Sequence, residues 1–245
     1  MADQVEQLDA GRYPGGDNGA GVWQWLISEQ PHHSVYVEPC VGSGGVFRRK
    51  PPALRSVLID LDPRVAAWWL GQSRPGMEVV SGCGVDWLRR NADWLDRDCL
   101  VYLDPPFLHS TRSNRRLYRF EMTRRAHIAL LDVVESLRCN VMLSGYWSEL
   151  YGERLDAWRV ERRDVPTRGG LREECLWCNF PAVDRAPPPA VIGPGENYRE
   201  REANKKRIRR WRDDLFPAMP PAMRRAFLDA LIAKEWELST AAGGG

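Results

Sequence analysis

Val101-Tyr102-Leu103-Asp104-Pro105-Pro106-Phe107 is an apolar run that ends in a carboxylate, two prolines and an aromatic ring. Leu100 to Leu103 are β-prone with no polar break, the pattern of a parallel strand covered on both faces, and the proline pair stops strand pairing at the carboxyl end. In open α/β sheets that end is where ligands bind. The stretch therefore predicts a buried strand that opens into a chemically equipped loop.

Each loop residue has a use toward a planar heterocycle that bears an amino group. Asp104 can accept from the amine N–H. Neither Pro105 nor Pro106 has an N–H, so the turn is rigid and the Pro105 carbonyl stays free to accept a second hydrogen bond. Phe107 can stack on the ring. A proline-terminated strand with an ordinary helix-capping aspartate fits the same four residues, so this stretch alone does not decide between the two.

Upstream, Val35-Tyr36-Val37 reads as a first strand. It runs into Glu38-Pro39-Cys40-Val41-Gly42-Ser43-Gly44-Gly45-Val46-Phe47, where glycines let the backbone approach a ligand that any Cβ would strike. Val57-Leu58-Ile59 gives a second strand ending in Asp60. An acid there can hold two ribose hydroxyls, as in Rossmann-like sites. Asp62, just before Pro63, is predicted to cap a helix over Arg64 to Leu70. Met77 to Val80 is a third strand, with Gly82-Cys83-Gly84 at its exit and Asp86 as a helix-cap candidate.

These pieces, in this order, resemble the Dam-like class of S-adenosylmethionine (AdoMet)-dependent methyltransferases that modify adenine N6. Asp104-Pro105-Pro106-Phe107 is similar to their catalytic motif and the Val37 to Phe47 segment to their cofactor loop. Arg12-Tyr13-Pro14-Gly15-Gly16 and Leu58-Ile59-Asp60-Leu61-Asp62 are further matches, so the likeness spans residues 12–180. The resemblance implies an α/β fold: a Rossmann-like seven-stranded sheet with a terminal β-hairpin, here followed by a small C-terminal helical hairpin. It implies AdoMet as cofactor, bound by Tyr13, Gly15, Gly16, Asp17, Glu38, Pro39, Cys40, Gly42, Ser43, Gly44, Asp60, Leu61, Cys83, Gly84 and Asp104. It also implies a catalytic set of Asp104, Pro105, Pro106 and Phe107 acting on a base flipped out of double-stranded DNA.

Three positions depart from the family pattern. Asp17 stands where a lysine is usual, and Cys83 where an acid reads the cofactor's adenine, which leaves the Cys83–Gly84 backbone for that contact. Between Asp86 and Leu100 there is room for one helix and a turn, so the usual DNA-reading insertion is missing. Two segments are expected to replace it. One follows the catalytic motif and supplies His109, Arg112, Arg115, Arg116, Tyr118 and Arg119, joined by Arg168 and Arg172 from the hairpin loop. Such residues can contact phosphates and bases alike. RNA is an alternative substrate, cytosine N4 an alternative target, and a non-catalytic nucleic-acid-binding module an alternative of another class.

The second segment lies beyond Ala186-Pro187-Pro188-Pro189-Ala190, a stiff linker that divides a methyltransferase domain at 1–185 from an extension at 186–245. Between Arg199 and Arg212 stand eight basic residues, among them Lys205, Lys206 and Arg209, against two acids, for a local charge of +6. Ile208, Trp211 and Leu215 recur at helical spacing, and a second helix over Ala222 to Leu238 is expected to fold back on the first. A solvated basic face is the alternative to a nucleic-acid grip.

The 245 residues suffice for one good core and a small appendage, and with 35 basic and 33 acidic residues any attraction to nucleic acid has to come from such clustering. No apolar run is long enough to span a bilayer and no leader pattern opens the chain, so a soluble, cytoplasmic protein is expected. Six scattered cysteines suit buried free thiols. Only Cys175 and Cys178 have metal-like spacing; with no second pair they predict a strand and no metal.

Overall fold

A computed structural model describes residues 21–72, 74–112, 116–167, 170–183, 206–207, 210–220, 223–224 and 227. The chain divides into two compact units, Met1–Arg185 and Ala186–Gly245.

The first unit is built on one seven-stranded sheet in the order β3-β2-β1-β4-β5-β7-β6. Its strands are β1 (Val35–Pro39), β2 (Arg55–Asp60), β3 (Met77–Ser81), β4 (Cys99–Leu103), β5 (Asn140–Gly145), β6 (Arg159–Thr167) and β7 (Gly170–Cys178). The first five are parallel; β7 runs antiparallel to both β5 and β6. This is the predicted Rossmann-like arrangement with its terminal hairpin. The chain starts at the centre, moves out through β2 to β3, then returns to β4 on the other side of β1. The reversal between β1 and β4 is the switch point where open α/β sheets take ligands.

Period-two alternation assigns the strand side chains to two cores. Val37, Ile59, Val101, Leu103, Val141, Leu143 and Trp177 pack with α3 (Gly84–Asn91), α4 (Arg124–Ser136) and α5 (Glu149–Arg154). Tyr36, Leu58, Leu100, Tyr102, Met142 and Leu176 pack with α1 (Val22–Ser28) and α2 (Pro63–Leu70). Because both faces are covered, all four residues Leu100 to Leu103 are fully buried, each worth about 1.5–3 kcal/mol. That burial is why the strand reads as an unbroken apolar run.

Several helix signals work as the sequence suggests. Asp62 caps α2 by accepting from the Arg64 N–H, with Pro63 at the first helical position. Thr123 caps α4 through the Ala126 N–H. Asp86 is not a cap: it lies in the first turn of α3, after the N-cap residue Cys83, and pairs with Arg89 at 3.0 Å. Cys175 and Cys178 are buried in β7, where burial pushes their thiols up to about 11 and about 12. No described helix is long and apolar enough to cross a membrane.

In the second unit, Trp211–Leu215 forms a π-helical turn that continues into Phe216–Ala218. The Trp211 and Phe227 rings stack at 5.7 Å, so the two expected helical segments meet there. Lys206, Arg207 and Arg210 are exposed. Lys205 and Arg209, like most of the second helix, lie outside the described residues.

Candidate active site

The loop after β1 is held from three directions. Cys40 and Val41 donate their N–H groups to the Ile59 carbonyl at 2.8 and 3.0 Å. The Gly42 N–H donates to Asp60 Oδ2 at 2.9 Å, while the Trp69 indole donates to the Gly42 carbonyl at 3.0 Å. Gly42 and Gly44 have φ of 47° and 61°, and Cys40 takes a left-handed φ of 79° without being glycine. Gly84, across the loop at the start of α3, packs so close that an added Cβ would stand 2.6 Å from Pro39 Cβ. Glu38 is buried and accepts from the Tyr36 hydroxyl at 2.7 Å; Ser43 is buried as well.

Asp60 sits at the end of β2, its second oxygen accepting from the Asp62 N–H at 2.9 Å. Burial is the largest influence on it and raises its pKa, against the opposing backbone hydrogen bonds. The backbone N–H of Leu61 also acts on this carboxylate; of its four lone-pair sites that leaves one for a ligand hydroxyl. Leu61, next in the chain, is half exposed.

Asp104 emerges from β4 beside this loop. Burial, then the carboxylates of Asp60 and Asp104 together with Cys83 and Glu38, raises the Cys40 thiol well above its usual range. The glycine loop, the β2 acid, the β3 exit and the Asp-Pro-Pro-Phe turn thus converge on one place. Asp104 Oδ1 accepts from Ser144 Oγ at 3.0 Å. Pro105 is buried and Pro106 and Phe107 half buried. Phe107 meets Tyr146 edge to face with centroids 4.7 Å apart. Trp147, 49% exposed, adds a third ring at the end of β5.

The described residues after the Asp-Pro-Pro-Phe turn gather round one carboxylate. Glu121 accepts from the N–H groups of Leu117 and Tyr118 at 2.7 and 3.0 Å, pairs with Arg112, and faces His109 Nε2 at 3.2 Å. Burial would raise Glu121, but Arg112 and the two N–H groups hold it down at about 2. Arg112 is only 5% exposed and stacks over Tyr118 at 5.5 Å. It is therefore an internal anchor of the loop, whereas the sequence suggested an outward phosphate contact. Arg172 is likewise engaged, donating to the Thr111 carbonyl at 3.0 Å and lying 4.4 Å over the Tyr146 ring. Arg119 is half exposed and reaches across to Asp62 at 3.4 Å, which leads the segment from the end of β4 to the start of α2. Arg116 is exposed.

Tyr13, Gly15, Gly16, Asp17, Arg115 and Arg168 lie outside the described residues. The sequence places Tyr146 and Trp147 at the carboxyl end of the fifth strand without giving them a role, and gives no sign of Ser144, Glu121 or His127. His127 is buried under the Asp-Pro-Pro-Phe turn, its Nδ1 2.8 Å from the Tyr151 hydroxyl and its ring close enough to the Pro106 backbone to feel it. Burial, then Arg112 and His109, lowers it to about 4, so the ring is neutral at ordinary pH. Among the described residues no group of three acids, histidines or cysteines could hold a metal ion.

No family model matches the chain, and no curated protein matches it. Solved structures similar in fold include the O-methyltransferase from Bacillus cereus, at 11% identity and a TM-score of 0.43 over 64% of this chain and 78% of that one. Spermidine synthase from Thermotoga maritima shares 14% identity at a TM-score of 0.42, over 76% of this chain and 70% of its own. Precorrin 8W decarboxylase from Methanobacterium thermoautotrophicum shares 14% at 0.42, over 73% and 98%. At such identity the likeness is of fold alone.

Proposed function

We propose that the protein is an AdoMet-dependent methyltransferase acting on the exocyclic amine of adenine in DNA, with the target base flipped out of the duplex. The observation that carries the reading is Asp104 at the carboxyl end of β4, next to the glycine loop of β1 and across it from Asp60. The residues fit the cofactor. The glycine loop offers close backbone, Asp60 offers a buried acceptor for a ribose hydroxyl, and the Cys83–Gly84 backbone borders the same space.

AdoMet, when bound, supplies an electrophilic methyl group. The amine of adenine is a poor nucleophile because its lone pair is delocalised into the ring. Asp104 and the Pro105 carbonyl, accepting from its two N–H bonds, draw the nitrogen toward tetrahedral geometry and localise that pair. Phe107 and the neighbouring Tyr146 and Trp147 offer aromatic surface for the extruded base, since a base inside a duplex cannot reach the pocket. Catalysis in this scheme is positioning plus electrostatics, with no covalent enzyme intermediate. The amine loses its proton after transfer, so Asp104 need not be a strong base.

The test is transfer of a labelled methyl group from AdoMet to duplex DNA, with digestion of the product to nucleosides. Label is expected in N6-methyladenine. Label only in RNA, or only at cytosine N4, overturns this version of the reading.

A further inference from the structure

Asp104 and Ser144 are brought together by strand register. β4 and β5 are parallel with Leu103 opposite Leu143, so the next residue on each strand meets the other at the carboxyl edge. Ser144 is fully buried. Its hydroxyl lies 3.0 Å from Asp104 Oδ1, 3.1 Å from the Leu103 carbonyl and 3.3 Å from the Tyr102 hydroxyl. A serine has one proton to give and two lone pairs to receive with. Its proton can go to Asp104 or to the Leu103 carbonyl, while Tyr102 can donate into the serine oxygen.

Resting on the proposed methyl transfer, we infer that Ser144 is a positioning residue for Asp104. It donates to Oδ1, fixes the rotation of the carboxylate about its last bond, and keeps the group an acceptor for the substrate amine. A hydrogen bond to an ionised carboxylate outcompetes one to a neutral carbonyl, so the serine proton faces Asp104 whenever Asp104 carries charge. If Asp104 takes up a proton, the Leu103 carbonyl gives the serine another acceptor, and the preference reverses without an unsatisfied buried group. Tyr102, donating from behind, keeps the serine oxygen satisfied in both states. Among the described residues, Cys40 from the glycine loop and Tyr146 from the end of β5 both sense Asp104, and Arg172 and Glu174 act on Tyr146 from β7.

The first measurement does not depend on activity. With carboxyl-labelled aspartate, the Asp104 carbon is assigned by its loss in Asp104→Asn and titrated by NMR in the wild type and in Ser144→Ala. Removing a donor to the charged form is expected to raise the midpoint by about one pH unit, a tenfold weaker hold on the charge. An unmoved midpoint overturns the inference. The second measurement is turnover. Ser144→Ala is expected to lower kcat about tenfold with the KM for AdoMet unchanged, and Ser144→Thr, which keeps the hydroxyl, to recover most of it. Loss of kcat in Thr equal to that in Ala points to packing and overturns the inference. Should Ser144→Ala not fold, Ser144→Cys keeps the volume with a weak donor, and wild-type kcat in that variant also overturns it. Absence of methyl transfer by the wild type defeats the functional reading itself and is visible before any variant is compared.

Discussion

The ring of Trp69 fills the space that a Cβ on Gly44 would need, with Cζ2 2.3 Å from that point, while its indole N–H holds the Gly42 carbonyl at 3.0 Å. One buried side chain on α2 thus shapes the loop assigned to the cofactor. Gly44→Ala combines a left-handed φ with a steric overlap. The first costs about 1–2 kcal/mol and the second about 1–3 kcal/mol. A drop in Tm of several degrees and loss of AdoMet binding are expected, by thermal melt and calorimetric titration. Gly82→Ala, where an added Cβ meets nothing within 4 Å, is the control and keeps the wild-type melt. Equal stability of the two variants would show that the ring can move aside.

Asp104→Ala is expected to reduce methyl transfer at least about a hundredfold, the scale for a hydrogen bond made mainly in the transition state, while the Tm changes little. Phe107→Ala keeps the carboxylate but removes a stacking surface worth about 1–3 kcal/mol per base. Its loss is expected in KM for the polynucleotide more than in kcat. Near-normal turnover of the Asp104 variant would move the active site elsewhere.

Acid is expected to weaken the protein in two separable windows. His127 is lowered from 6.5 to about 4 by burial and neighbouring cations. The unfolded chain therefore binds the proton first, and stability falls as pH drops from about 6.5 to about 4. Glu121 is lowered from 4.5 to about 2. Its contribution is intact above about 4.5 and disappears as pH falls through about 2. Denaturant melts against pH check both: His127→Gln flattens the upper window and Glu121→Gln the lower. Because Glu121 engages His109, Arg112, Leu117 and Tyr118, its variant is also expected to admit protease into that segment at neutral pH.

The strand and loop signals were legible because they are local. Leu100 to Leu103 is apolar on both faces since both faces are covered, and Asp62-Pro63 reads as a cap because cap and helix are adjacent. The placing of Asp60 at the end of a strand beside the glycine loop also followed from order along the chain. What escaped depends on pairing across the sheet. Ser144 looks like one polar break at the end of a strand until register sets it against Asp104, forty positions earlier. Arg112 reads as a phosphate contact until Glu121 closes the loop on it. Helix α5, at six residues with Gly152 inside, is too short to declare a period, although Ser148 caps it through the Tyr151 N–H. Charge in a loop is the least legible feature, because an arginine pointing to solvent and one pinned to a carboxylate have the same sequence.

With Arg112 turned inward and Arg172 held by Thr111 and Tyr146, the first unit has fewer arginines available for phosphate than its sequence promised. The basic segment between Arg199 and Arg212, at +6, is then expected to carry more of any contact with nucleic acid. Deleting residues 188–245 is expected to leave the first unit folded and its AdoMet affinity unchanged, since that unit contains the complete sheet and the cofactor loop. Binding to duplex DNA should weaken and lose part of its salt dependence, because each lost phosphate contact removes about 0.9 from the slope of log K against log salt. Fluorescence anisotropy of a labelled duplex across a salt series gives both numbers. A slope lower by several units assigns the phosphate contacts to the extension. Weaker binding at an unchanged slope would instead mean that the extension acts through apolar contacts, with Trp211, Leu215 and Met223 as exposed candidates. An unchanged affinity and slope would make the charged segment a solvated face.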